Sequence, residues 1–191
     1  MSVLASKVDR VNHDRKFSKE LFVDVAKNLK IFTDEEWESV KETLEYKKLL
    51  IAVYVRTDTD NLVLLLYKDK FSNVSNVPPL VTDVGMYPSI LVDAGLLCGK
   101  NLIDSVFSFS NEEAMKRLVL SSTCFPVGAI ETSKKYVVVF NVIVSENILR
   151  DKDISLNKGF HFHPIETLYL DDTLQRDIAE SLILVKSEGM K

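Results

Sequence analysis

Apolar and polar positions change period several times along this chain, and each change marks an element. Phe17, Leu21, Val25 and Leu29 recur every four residues, the spacing of one helix face. Thr33, Asp34, Glu35 and Glu36 then read as a capping box, in which the Thr hydroxyl accepts from the first turn and Glu36 reaches back. The helix it opens carries Trp37, Val40, Leu44 and Tyr46. Its acidic residues match the helix dipole and read as a solvated face rather than a metal site. At Leu49 the period is lost. Residues 49–55 and 62–67 are continuous apolar runs, the pattern of strands buried on both faces, and the polar residues 57–61 join them as a hairpin.

Residues 71–99 carry a weaker pattern, interrupted by Pro78, Pro79, Gly85, Pro88, Gly95 and Gly99, with short strands predicted at 79–84 and 89–92. A second capping box is predicted at Ser110, Asn111, Glu112 and Glu113. It opens a helix with Ala114, Leu118, Ser121 and Ser122 along one side. Residues 127–131 and 136–145 read as a hairpin turning at 132–135. A polar stretch, 146–159, leads to Phe160, His161, Phe162 and His163. A closing helix from Asp172 has the stripe Leu174, Ile178, Leu182 and Val185. Helices on a mixed sheet make the fold class α+β, an α/β/α sandwich.

Composition narrows the class. At 191 residues the chain is long enough for one domain with a proper core, and 6 Gly and 5 Pro leave little room for disordered linkers. A net charge of -4 offers no surface for duplex nucleic acid or an anionic membrane. The longest apolar runs fall short of the roughly 20 residues that cross a bilayer. Cys98 and Cys124 sit far apart among apolar neighbours, as small packed thiols of a reduced protein do. The expectation is a cytoplasmic protein.

One stretch carries a resemblance. Glu112-Glu113-Ala114-Met115-Lys116-Arg117-Leu118-Val119-Leu120-Ser121-Ser122-Thr123 resembles the catalytic helix of Nudix hydrolases, which reads Glu-Glu-Ala, two residues, Arg-Glu, a hydrophobic residue, a variable one, then Glu-Glu. The order of elements over residues 48–186 is similar too, and residues 164–168 look like the family's Pro, hydrophobic, Glu, Leu tail before the last helix. The resemblance implies a Nudix-like domain over 48–191, preceded by an N-terminal extension over 1–47. That extension is expected to hold two helices outside the core, joined at Ile31 and Phe32, whose stripes need cover from the core or a second subunit.

The departures bear on function. Nudix hydrolases hold Mg²⁺ on helix glutamates, and the pattern places those acids at Leu118, Ser121 and Ser122. The motif's upstream Gly and Glu fall at Ile103 and Phe109. Arg117 matches, in a position that implies a structural task. Glu112 and Glu113 lie about 12–15 Å along the helix from positions 121 and 122, too far to share one ion with them. Glu131 and Glu166 are the acids that could approach from elsewhere. The implied protein is therefore a degenerate Nudix-like domain with no catalytic residue, no cofactor and no metal. It would bind a nucleotide, a nucleic-acid end or a protein, with self-association through the N-terminal helices as one route. The alternative is a divergent Mg²⁺-dependent Nudix pyrophosphatase.

Other constellations weigh less. His161 and His163 alternate with Phe160 and Phe162, so on a strand both imidazoles face one way, open to a ligand's base. A metal there needs a third ligand from His13, Cys98, Cys124 or an Asp. A nucleophilic pair of Cys124 with His163 is conceivable, whereas no nucleophile elbow, P-loop or dinucleotide fingerprint occurs.

Overall fold

The computed structural model describes residues 2–7, 17–43, 45–59, 61–67, 70–71, 74–75, 89–132, 135–168 and 185. The chain opens with β1 (Ser2–Ser6), β2 (Phe17–Ser18), α1 (Lys19–Lys27), β3 (Leu29–Thr33) and α2 (Asp34–Val40). There follow the long strands β4 (Lys47–Thr57) and β5 (Asn61–Tyr67), then the short β6 (Lys70–Phe71) and β7 (Val74–Ser75). Next come α3 (Ser89–Val106), β8 (Phe107–Phe109), α4 (Glu112–Ser121), β9 (Thr123–Glu131) and β10 (Lys135–Val144). A 3-10 turn at Ile148–Arg150 leads to β11 (Ile154–Leu156), β12 (Phe160–Pro164) and α5 (Ile165–Leu168).

The apolar runs become the middle of a mixed sheet in the order β12-β5-β4-β10-β9-β2. Strands β4 and β10 run parallel from Lys48/Lys135 to Thr57/Val144, and every residue from Leu49 to Thr57 is buried. Such burial on both faces is what an unbroken apolar run requires. Each other neighbour, β5 and β12 included, pairs antiparallel. One edge of β4 is shared in sequence by β1 at Lys47 and Lys48, β7 at Ile51 and Ala52, and β5 at Val55 and Arg56. The hairpin of β9 with β10 slips register between Val139 and Phe140, next to Pro126, which has no N–H to give the ladder. β8 and β11 form a separate two-stranded sheet.

Both hairpins and the box at Thr33 follow the sequence pattern: Glu36 N–H donates to Thr33 Oγ1 at 3.2 Å, and Thr33 N–H to Glu36 Oε2 at 2.8 Å. Four local expectations are corrected. Residues 89–92 begin the 18-residue helix α3 rather than a strand. Its glycines, which read as breakers, are contact points: a Cβ on Gly95 would stand 2.2 Å from Phe140 Cε1, and one on Gly99 3.1 Å from Cys124 Sγ. The cap of α4 is Asn111, whose Oδ1 accepts from Ala114 N–H at 2.8 Å; Ser110 turns instead to Asp153. Phe17 and Leu29 lie in strands flanking a helix that spans only Lys19–Lys27, and Ile31 and Phe32 sit in β3 rather than at a helix joint.

The N-terminal stripes are covered by this chain itself. Leu21, Val25 and Ala26 of α1 belong to the main core with Phe140, and Phe22 meets the Phe140 ring edge-on at 6.4 Å. Trp37, Val40 and Tyr46 pack with Val3, Ala5 and Phe32 in a smaller cluster. Strand β1 pairs with both β3 and β4, and Ser6 Oγ donates to Val25 O, so the N-terminal elements are tied to the central sheet. Among the described residues, no helix is long and apolar enough to cross a membrane. Residues 79–84, Leu44, His13 and the closing helix from Asp172 lie outside the described residues, except Val185, which is buried.

Candidate functional site

Helix α4 presents its apolar side inward. Ala114 and Leu118 are both 0% exposed and join the main core, whereas Ser121, expected on the same side, is exposed. The serine hydroxyls close the helix: Ser121 Oγ donates to Leu118 O at 2.9 Å and Ser122 Oγ to Val119 O at 2.8 Å. Both hydroxyls satisfy carbonyls of the last turn, which a helix end leaves without partners. Glu112 and Glu113 lie exposed in the first turn, where they complement the helix dipole.

Arg117 anchors the helix to the loop before β11. Its Nη2 and Nε donate to Asp151 Oδ2 at 2.6 and 3.1 Å, and Nη2 stands 3.6 Å from Asp153 Oδ2. The Asp153 backbone N–H and the Arg117 guanidinium together hold the Asp151 carboxyl below its ordinary range, and the Asp151 hydrogen bond raises Arg117. The sequence placed Arg117 in a structural task, but its partners, 34 and 36 residues on, carry no sequence signal.

The stand-in acids are elsewhere. Glu131 accepts from Lys47 Nζ at 2.6 Å, at the far end of β9 from Ser122. Eight residues of strand separate Glu131 from Thr123, about 26 Å at 3.3 Å per residue. Glu166 is exposed on α5 beyond β12. Among the described residues, no group of three or more His, Cys, Asp or Glu could hold a metal ion. Leu118, Ser121 and Ser122, where the resemblance places the acids, carry none of the anionic oxygens that a hard divalent cation needs.

On β12 the alternation holds. Phe160 and Phe162 pack on the core, and the His161 and His163 rings lie 6.3 Å apart, edge to face. Partial burial, then the neighbouring His161, lowers the His163 pKa. Cys124 lies on β9, four strand spacings or about 19 Å across the sheet, so it can neither pair with His163 nor share a metal with it. The Cys124 thiol is pushed up to about 11 by burial and by Cys98, the condition of a packed thiol rather than a nucleophile.

A cavity of about 370 Å³ opens where β4 and β10 end. Thr57 and Asn61 line it at the turn between β4 and β5, and Glu146, Leu149 and Arg150 line it just past β10. Phe107, Phe162, Ile154 and Leu156 form its apolar walls, with Ser155 beside them. Thr57 Oγ1 accepts from Asn61 N–H at 3.1 Å, and Asp58 Oδ1 from Glu146 N–H at 3.1 Å, which fixes the turn against the end of β10. In the Phe160 to His163 motif the cavity-lining residue is Phe162, with the imidazoles on the strand's other face. No sequence period points to this site, because its described lining residues come from five separate segments.

Comparison with solved structures then bears on the fold. The chain superposes on Tm1382, assigned as a Nudix hydrolase, with a TM-score of 0.55 over 98% of this chain and 99% of that one, at 13% identity. The fold is Nudix-like. A Nudix family hydrolase from Clostridium perfringens aligns over 72% of this chain and 97% of its own length, at 14% identity and a TM-score of 0.34. No protein-family model and no curated protein matches the chain by sequence. Within the Nudix-like architecture, α4 contacts the 3-10 turn at Ile148–Arg150, which lends Leu149 and Arg150 to the cavity lining.

Proposed function

We propose that this chain is a Nudix-like domain without hydrolase chemistry that works as a binding module. The reading is carried by Leu118: at the position where the resemblance asks for an acid, an isobutyl side chain is completely buried in the core. An acid there could not reach a cation without leaving the core. Splitting a diphosphate builds negative charge on its oxygens, and the usual answer in this fold is a divalent ion on helix carboxylates. Ser121 and Ser122 offer no such charge, since a neutral hydroxyl is a weak substitute for a carboxylate on a hard, strongly hydrated ion.

Loss of the metal site leaves binding open. A concave site of mixed apolar and polar lining, such as the cavity beside the 3-10 turn, is what a small ligand needs. A nucleotide or nucleic-acid end is one occupant class for such a module, and a protein surface is the other. Because the stripes of α1 and α2 are packed within the chain, a protein partner would use other faces, such as the exposed Val119 and Leu120 on α4.

The test is an assay with Mg²⁺ or Mn²⁺ on nucleoside diphosphate sugars, dinucleotides, capped RNA and oxidised nucleotides. The expected result is no turnover above background. Metal-dependent turnover of about 1 s⁻¹ or more would establish the divergent pyrophosphatase instead.

A further inference from the structure

The cavity at the ends of β4 and β10 carries two charges that the fold leaves unused. Glu146 lines it just before the turn at Ile148–Arg150, and Arg150 lines it as the last residue of that turn. Among the described residues, neither side chain enters an ion pair or a hydrogen bond, and the two are not paired with each other. By contrast, Arg117, one helix away, is fully engaged by Asp151 and Asp153. The rest of the lining is chiefly apolar, with Phe107 and Ile154 buried and Leu149, Leu156 and Phe162 half-buried. An acid and a base, Glu146 half-buried and Arg150 exposed, thus line one chamber with aromatic and aliphatic walls.

We propose that this cavity binds a free amino acid with an aromatic or branched side chain. Arg150 takes the carboxylate, Glu146 takes the ammonium, and the side chain lies among Phe107, Phe162 and Leu156. This rests on the binding-module reading, since the ligand is held and not cut.

Three alternatives fit the lining less well. A wholly apolar ligand would strip water from the half-buried Glu146 and return nothing, which is unfavourable for a charged group. A phosphate, with a charge of about -1.5 to -2 at neutral pH, would meet one cation and one anion and be partly repelled. A peptide terminus brings a single charge and would leave the other lining residue unmatched. A zwitterion satisfies both, and the net charge of the filled site is zero. The volume of about 370 Å³ also sits near the lower end of the span of about 300–1,000 Å³ typical of small-molecule sites.

The test is calorimetry on the full chain with L-phenylalanine and L-leucine. Phenethylamine, which lacks the carboxylate, 3-phenylpropionate, which lacks the ammonium, ADP and inorganic phosphate serve as comparison ligands. Both amino acids should bind, and each truncated ligand should bind about five- to tenfold more weakly, the effect of one charge-assisted contact at a partly exposed site. Arg150→Gln should weaken L-phenylalanine by a similar factor and leave phenethylamine unchanged. Glu146→Gln should weaken L-phenylalanine and leave 3-phenylpropionate unchanged. The ligand series needs no variant, so it holds even if a substitution disturbs folding. Amino acids giving no heat, or binding equally with and without either charged group, overturns the assignment. ADP binding in their place overturns it too while leaving the binding-module reading intact, and only metal-dependent diphosphate turnover removes that reading.

Discussion

At the scale of single residues, position 118 separates the shape of the motif from its chemistry. Leu118 is fully buried against Ala114 and the sheet core, so Leu118→Glu places a carboxylate where neither water nor a cation can reach it. The expected cost is about 3 kcal/mol or more, seen as a fall of roughly 10 °C in melting temperature. An unchanged melt would mean that position 118 opens to a cleft. Asp151 supplies a second test. Its carboxyl is held below the ordinary range by the Asp153 N–H and by Arg117, so the folded state favours its ionised form. That contribution is fully present above the unfolded carboxylate value of about 3.9 and is lost as the pH falls through the lower folded value. Asp151→Asn should therefore melt below the parent protein at pH 7. The gap should close in acid, below the ordinary carboxylate range. A gap that persists there would mean that the asparagine disturbs packing rather than charge.

At the scale of elements, α3 depends on what its glycines do not carry. Helix and sheet approach so closely at Gly95 that a single methyl group would overlap three atoms of the Phe140 ring. Phe140 cannot swing away, because it is fully buried and Phe22 stands against it. Gly95→Ala raises intrinsic helix propensity by up to about 1 kcal/mol, yet overpacking costs about 1–3 kcal/mol or more, so the variant should be the less stable. Denaturant unfolding gives the sign directly: a raised midpoint would show that the contact relaxes. The cap of α4 is a gentler case. Asn111→Ala removes the acceptor for the Ala114 N–H and should lower stability by about 1 kcal/mol, while Ser110→Ala leaves that cap in place.

At the scale of the whole molecule, the N-terminal residues and the central sheet share one core. Leu21, Val25 and Ala26 pack with Phe140 and Ala129, and β1 pairs with β4. A chain starting at Lys47 would bare that apolar surface along β9 and β10. We expect it to aggregate or lose its cooperative melt, as followed by sedimentation and far-ultraviolet circular dichroism beside the full chain. A stable, soluble monomer from the shortened chain would show instead that residues 1–46 are dispensable to the fold.

The sequence by itself determined the features that local physics controls. The box at Thr33 needs only four neighbouring residues, and the buried strands β4 and β10 announce themselves as long apolar runs, Leu49–Val55 in one and Tyr136–Val144, interrupted by Asn141, in the other. The alternation of Phe160, His161, Phe162 and His163 fixes which side chains share a strand face. That positions 118, 121 and 122 carry Leu, Ser and Ser is likewise visible residue by residue. Tertiary structure decided the rest. Residues 90–92 are apolar without a clear period, so their helix was not legible, and the packing of α3 on the sheet turned Gly95 and Gly99 from breakers into contacts. Arg117 found Asp151 and Asp153 across a gap of more than thirty residues. Cys124 and His163 were set apart by the strand order between them. The cavity exists only where the ends of β4 and β10 meet the 3-10 turn, β8, β11 and β12. Periodicity reports which face a residue occupies, but not what lies opposite that face, and a site is made of what lies opposite.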